Sequence, residues 1–159
     1  DMEKIMRILI AAVGRAKAGP ERALFEHYQG RIQQPFSLQL KEVEEKRPLQ
    51  GAELKASEAA LLLASAPKGA LLIAMDERGK SLGSPEFADQ IGKWRDEGQR
   101  DLVFLIGGAD GLDESVRKQA RLALSFGKQT WPHMLVRGLL AEQVYRVQCI
   151  LAGHPYHRQ

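Results

Sequence analysis

Five short apolar runs, Arg7–Ala12, Ser37–Val43, Ala70–Met75, Leu102–Ile106 and Leu122–Ser125, alternate with longer segments of helical period. That alternation restricts the chain to an α/β fold with a mostly parallel sheet and flanking helices. Helices are expected at Pro20–Gln33, Leu49–Ser65, Ser84–Glu97, Asp113–Ala120 and Leu135–Leu151, punctuated by Pro20, Pro67 and Ser84-Pro85. The segment Lys41–Lys55, rich in Glu, Lys and Arg around Pro48 and Gly51, reads as a solvated, mobile connection. With 159 residues, 44% of them hydrophobic, the chain supports one core and one domain over 1–159. Asp1 ahead of Met2 reads as an expression remnant, so residues 1–5 carry no argument.

The longest apolar stretch, Ala59–Met75, is broken by Pro67-Lys68-Gly69 before it could cross a bilayer, so no membrane association is expected. The lone Cys149 excludes an internal disulfide and a cysteine-based zinc cage, and suits the cytoplasm. Charge is unevenly placed. Lys128, Arg137, Arg146 and Arg158 face only Glu142 after residue 125, so the whole net charge of +3 lies in the last 34 positions. A basic end of this kind suits a polyanion such as RNA.

In the last helix, Val136, Leu140, Val144, Val147 and Leu151 form an apolar stripe that should pack on the sheet. Gly138, Ala141, Tyr145 and Cys149 form a second stripe of mostly small residues on the other side. No further element follows to cover it, so this face is expected to be a subunit interface. Glu142 and Arg146, at i, i+4 spacing, read by themselves as no more than a helix-surface ion pair.

Three segments carry candidate chemistry. In Leu105–Leu112, an apolar strand runs into Gly107-Gly108-Ala109-Asp110-Gly111, a turn that would let a ligand approach the backbone at the carboxyl end of a strand. It lacks the P-loop lysine and serine/threonine and the dinucleotide spacing, so it could equally be a tight turn; a nucleotide-dependent enzyme is the disfavoured rival. In Phe126–His133, Pro132 stiffens a loop able to present main-chain groups to a flat heterocycle, unless Phe126 and Trp131 simply plug the core. The tail Gly153-His154-Pro155-Tyr156-His157-Arg158 packs two imidazoles, a phenol and a guanidinium into five residues. Zinc bound by His133, His154 and His157 matches no common spacing, so no metal is expected.

These segments, with Met6–Gly14, Met75–Lys80, Leu135-Val136-Arg137 and Glu142–Arg146, closely resemble the RlmH family of ribosomal RNA large-subunit (23S) pseudouridine N3-methyltransferases, of the SPOUT superfamily. The resemblance covers nearly the whole chain except Lys41–Lys55. It implies a C-terminal trefoil knot, a homodimer, and 23S rRNA within the ribosome as the substrate. It also implies S-adenosylmethionine held by Met75, Gly107 and the loop residues Phe126, Gly127, Lys128, Gln129, Thr130 and Trp131. The family usually has leucine at Met75.

On that likeness His154 or His157 is the proton acceptor, Tyr156 and Arg158 position the base and a phosphate, and Arg137 and Glu142 orient the tail or the RNA. Because the tail follows the helix expected at the subunit interface, the site would combine one protomer's cofactor with its partner's tail. The rival of a different class is a non-catalytic rRNA-binding or ribosome-assembly module.

Overall fold

In the computed structural model, which describes residues 4–158, the five apolar runs form β1 (Met6–Val13), β2 (Phe36–Val43), β3 (Leu71–Ser81), β4 (Asp101–Ile106) and β5 (Leu122–Ser125). Between and after them lie α1 (Pro20–Gln29), α2 (Gly51–Ala64), α3 (Ser84–Asp96), α4 (Glu114–Gln119) and α5 (His133–Ala152). Every strand pairing is parallel, in the order β2-β1-β4-β3-β5. The two-residue period of β1 and β4 then builds two cores. Ile8, Ile10, Leu102 and Phe104 meet side chains from α1, α3 and α5 on one face, while Ala11, Val13, Val103 and Leu105 meet α2 and α4 on the other. Apolar residues on both sides mark β1 and β4 as central, as expected of a sheet covered twice. Among the described residues no helix is long and apolar enough to cross a membrane.

Three expectations about boundaries change. The first helix stops at Gln29 rather than Gln33, because the chain turns at Gly30; Arg31 and Ile32 donate to Tyr28 O and Gln29 O, and the Gln33 N–H donates to Gln148 on α5. The third strand runs on past Met75. Both Met75 and Lys80 pair with Leu124, so Asp76–Gly79 bulge out of the sheet and the strand resumes. The polar run Asp76-Glu77-Arg78 hid this continuation from an argument based on apolar period. Finally, Lys41–Lys55 is not one loose connection: Lys41–Val43 belong to β2 and Gly51–Lys55 to α2. Between them Glu45 accepts from Arg47 Nε at 2.6 Å and from Ser57 Oγ. Those hydrogen bonds, Arg47's first, hold the Glu45 carboxyl down at about 2.

The apolar stripe of α5 packs on the sheet as expected, with Leu140, Val144 and Val147 fully buried. The second stripe does not wait for another subunit. Its Gly138 end is covered by α1 of the same chain, so close that a Cβ on Gly138 would lie 2.6 Å from Leu24 Cδ2. Ala141 and Cys149 are buried there, and the Tyr145 ring lies 6.3 Å from that of Tyr28. The sheet order is what sequence period could not supply: β1 and β4 are adjacent, so α1 and α5 share a face. This stripe therefore gives no support for a subunit interface.

Candidate active site

The carboxyl ends of β3, β4 and β5 enclose a cleft of about 800 Å³. Its walls include Met75, Gly107, Phe126, Gly127, Gln129, Thr130 and Trp131, seven of the eight residues expected to hold a cofactor; Lys128 is exposed beside it and is not part of the wall. The glycine turn fits its place for a steric reason. A Cβ on Gly107 would lie 2.7 Å from the carbonyl carbon and oxygen of Gly111, so only glycine lets the turn fold against its own backbone. Gly111 N donates to Gly108 O at 3.0 Å, closing the turn, and Asp113 caps α4 by accepting from Ser115 N at 3.0 Å.

The facing loop is organised by Ser125, which is 5% exposed. Its hydroxyl accepts from Gly127 N at 3.0 Å and lies 2.9 Å from Gly127 O and 3.1 Å from Glu77 O, so it joins the loop to the β3 bulge. Trp131 Nε1 donates to Phe126 O at 3.3 Å, curling the loop on itself. Trp131 is 40% exposed, so it rims the cleft rather than plugging the core. Replacing Ser125 with alanine strands the Gly127 N–H, and thermal denaturation should show a loss of about 1–3 kcal/mol; an unchanged midpoint would mean that the loop holds itself.

Several wall residues were missed in the sequence. Asp76, Glu77 and Arg78 reach the cleft from the bulge, and Lys55 and His133 reach it from α2 and α5. Burial pushes the Asp76 carboxyl up, but hydrogen bonds from Arg78 and the nearby Arg117, whose Nε lies 3.0 Å away, more than offset this and hold it below the usual range. Burial, then the Arg137 guanidinium, lowers the His133 imidazole. The available signal was the polar Asp76–Lys80 run directly after an apolar strand.

A second cluster forms around the tail. Gly153 takes a left-handed conformation and ends α5, with His154 N donating to Cys149 O at 2.8 Å, which folds the chain back along the helix. Glu142 accepts from Arg146 Nη2 at 2.8 Å and from the Tyr156 hydroxyl at 3.2 Å. Arg146 Nη1 contacts His157 Nδ1 at 3.0 Å, and its guanidinium lies 4.8 Å from the centre of the Tyr156 ring. Arginine only donates, so this Nδ1 is the acceptor and the neutral His157 ring carries its proton on Nε2. His154 Nδ1 is likewise engaged, accepting from Tyr156 N at 3.1 Å. Arg158 is exposed. The structure thus brings Glu142, Tyr156 and His157 together, with Arg146 at the centre.

Arg137 does not join them. It is 1% exposed and turned to the ends of β1 and β2, where Nη1 donates to Glu42 at 2.6 Å and Nη2 to Val13 O at 2.9 Å and Gly14 O at 2.7 Å. Within this chain it fastens α5 to the ends of β1 and β2 and does not touch the tail. Nor do His133, His154 and His157 meet, since His133 opens α5 and the other two follow it; among the described residues no group of three or more His, Cys, Asp or Glu could hold a metal.

The family profile described as "Predicted SPOUT methyltransferase" matches residues 6–157. The chain belongs to the SPOUT methyltransferase family. Two relatives, each named Ribosomal RNA large subunit methyltransferase H, come from Rhodospirillum centenum and Paramagnetospirillum magneticum; both are 61% identical over 153 residues, covering 96% of this chain and 99% of each relative. A solved structure from Haemophilus influenzae, described as a probable methylase family protein, shares the fold with a TM-score of 0.56 at 10% identity, covering 97% of this chain and 70% of that one. The parallel α/β architecture read from the sequence is the SPOUT architecture, and the knot follows from family membership.

Within this SPOUT chain the cleft and the tail cluster are separate places. His133 lines the cleft, while Glu142 anchors the tail nine residues further along the same helix, about 14 Å at 1.5 Å per residue. A groove lined by Phe126, Gly127, Trp131, Leu139, Glu142 and Gln143 connects them.

Proposed function

We infer that this SPOUT methyltransferase transfers the methyl group of S-adenosylmethionine to N3 of a pseudouridine in 23S ribosomal RNA, acting in the bacterial cytoplasm as a homodimer on the assembled ribosome. The relatives' shared name and near-complete coverage support the RNA substrate. The observation that carries the mechanism is the separation of cleft and tail along α5. The tail is anchored to Glu142, about 14 Å along α5 from His133 at the cleft, an arrangement that favours a site completed by a second copy's tail.

The residues present fit the methyl donor. Met75 offers an apolar wall, the Gly107 turn admits close backbone approach, and the Phe126–Trp131 loop edges the same space. S-adenosylmethionine supplies an electrophilic methyl on a sulfonium; the protein aligns it with N3 and takes the imide proton. Tyr156 is not the acceptor. Burial, the Tyr28 hydroxyl and the Glu142 carboxylate push its phenol up to about 12, so at neutral pH it donates a hydrogen bond. His154 or His157 takes the proton once its Nδ1 contact is given up, and the exposed Arg158 meets a phosphate.

The test is transfer of tritiated methyl groups to ribosomes from cells lacking this modification. Full-length protein is expected to label 23S rRNA, and a chain ending at Gly153 is not. Mixed dimers of that shortened chain with Gly107→Ala chains should recover activity, because one intact cleft then faces one intact tail. No recovery would place cleft and tail of one site in the same chain. Binding of RNA without binding of S-adenosylmethionine would instead favour the assembly module.

A further inference from the structure

A second large concavity lies at the opposite end of the sheet from the cofactor cleft, between the amino ends of β1 and β2 and the carboxyl ends of α1, α3 and α5. It encloses about 760 Å³ and is lined by Lys4, Arg31 and Arg95 from three separate segments, with His154 at one side. Asp96 is its only carboxylate among the described residues. That group is partly spoken for, since Arg95 Nε lies 3.9 Å from it.

The cations are held in place by apolar surfaces. The Arg31 guanidinium lies 5.7 Å from the centre of the Tyr145 ring, and that of Arg95 lies 5.6 Å from the centre of the Phe36 ring. Such stacking fixes a planar guanidinium while leaving N–H groups at its edge to meet an oxyanion. Lys4 Nζ donates to the Asp96 carbonyl at 3.0 Å, which uses one of its three N–H donors. The fold itself explains little of this clustering: neither Arg31 nor Lys4 has a carboxylate within ion-pair distance among the described residues.

The groove also leads to the tail. Tyr145 forms part of its floor and packs edge-on against Tyr156 at 4.7 Å, and His154 belongs to both the groove wall and the tail. A strand following the groove would therefore emerge beside His157 and Arg158. We propose that this groove binds the phosphodiester backbone of the RNA segment flanking the target nucleotide, through Arg31 and Arg95. The proposal rests on the RNA-methyltransferase reading and adds to it the surface that recruits the RNA. Phosphate contacts of this kind fix register without reading sequence, leaving selection of the nucleotide to the site.

The test compares the full-length protein with an Arg31→Gln/Arg95→Gln variant on ribosomes lacking the modification, over a range of salt concentrations. The variant should raise KM for ribosomes about tenfold at moderate salt, and should lower the slope of log affinity against log salt by about 1.4 for two lost single-strand phosphate contacts. Its affinity for S-adenosylmethionine, read by titration calorimetry, should not change, because the groove and the cleft are at opposite ends of the sheet. Unchanged KM and salt slope overturn the groove while leaving the methyltransferase intact. A variant that no longer forms the wild-type oligomer also overturns it, showing the groove to be a contact between copies. If the wild type itself does not methylate rRNA, the underlying reading fails first.

Discussion

Replacing Arg137 with alanine should cost about 3 kcal/mol of folding stability, measured as a fall in the urea midpoint with an unchanged slope. The side chain holds three partners at once: Glu42 and the carbonyls of Val13 and Gly14. Burial lowers the guanidinium's affinity for its proton, and the hydrogen bond and charge of Glu42 oppose that loss. Removing the cation therefore leaves a carboxylate and two carbonyls facing a hole. Losing one partner of a buried pair typically costs about 3–5 kcal/mol, and the lower end applies because the Glu42 side chain keeps 22% exposure and its Ala16 N–H donor at 2.7 Å. Arg137→Met restores volume but no charge, so it should remain destabilised by more than half as much. A loss below about 1 kcal/mol for alanine would show that water replaces the guanidinium freely.

Arg137 also shows where sequence reading stops. Its place on a flank of α5 was visible from the helical period, yet its partners are 95 and 124 residues away, at Glu42 and Val13. Nothing in local pattern ties those positions together. β1 and β4 were legible because burial on both faces of a central strand leaves a continuous apolar run, and the edge strand β2 because Phe36, Leu38 and Leu40 alternate with polar residues. The cleft was only half legible: the glycine turn after an apolar strand marks either a ligand's approach or a tight turn, and the family likeness, not the turn, favoured the former. The face of α5 against α1 was misread for want of sheet order: Gly138 and Ala141 signal close approach, but not to which helix. In the tail, composition pointed to Tyr156 and His157, while the central place of Arg146 depends on a chain reversal at Gly153 that side-chain inventory cannot show.

The sharpest functional effect is expected at Gly107. An added Cβ would sit 2.7 Å from the Gly111 carbonyl carbon and oxygen and 3.0 Å from Leu112 N. These are backbone atoms, so the turn cannot relieve the clash by changing a rotamer; it must move as a unit. Gly138 makes a useful contrast, because there the nearest atoms are the end of the flexible Leu24 side chain. Overpacking at Gly107 should cost about 1–3 kcal/mol of stability, which a fold of this size can survive. The same displacement shifts one wall of the cleft by about 1 Å, a misplacement of the scale that costs a site about 100-fold. Gly107→Ala protein should therefore stay folded by circular dichroism while its methyl-transfer rate falls about 100-fold and its binding of S-adenosylmethionine weakens in titration calorimetry. Folded protein with wild-type affinity would mean that the turn is a structural corner and that the Phe126–Trp131 loop alone holds the methyl donor.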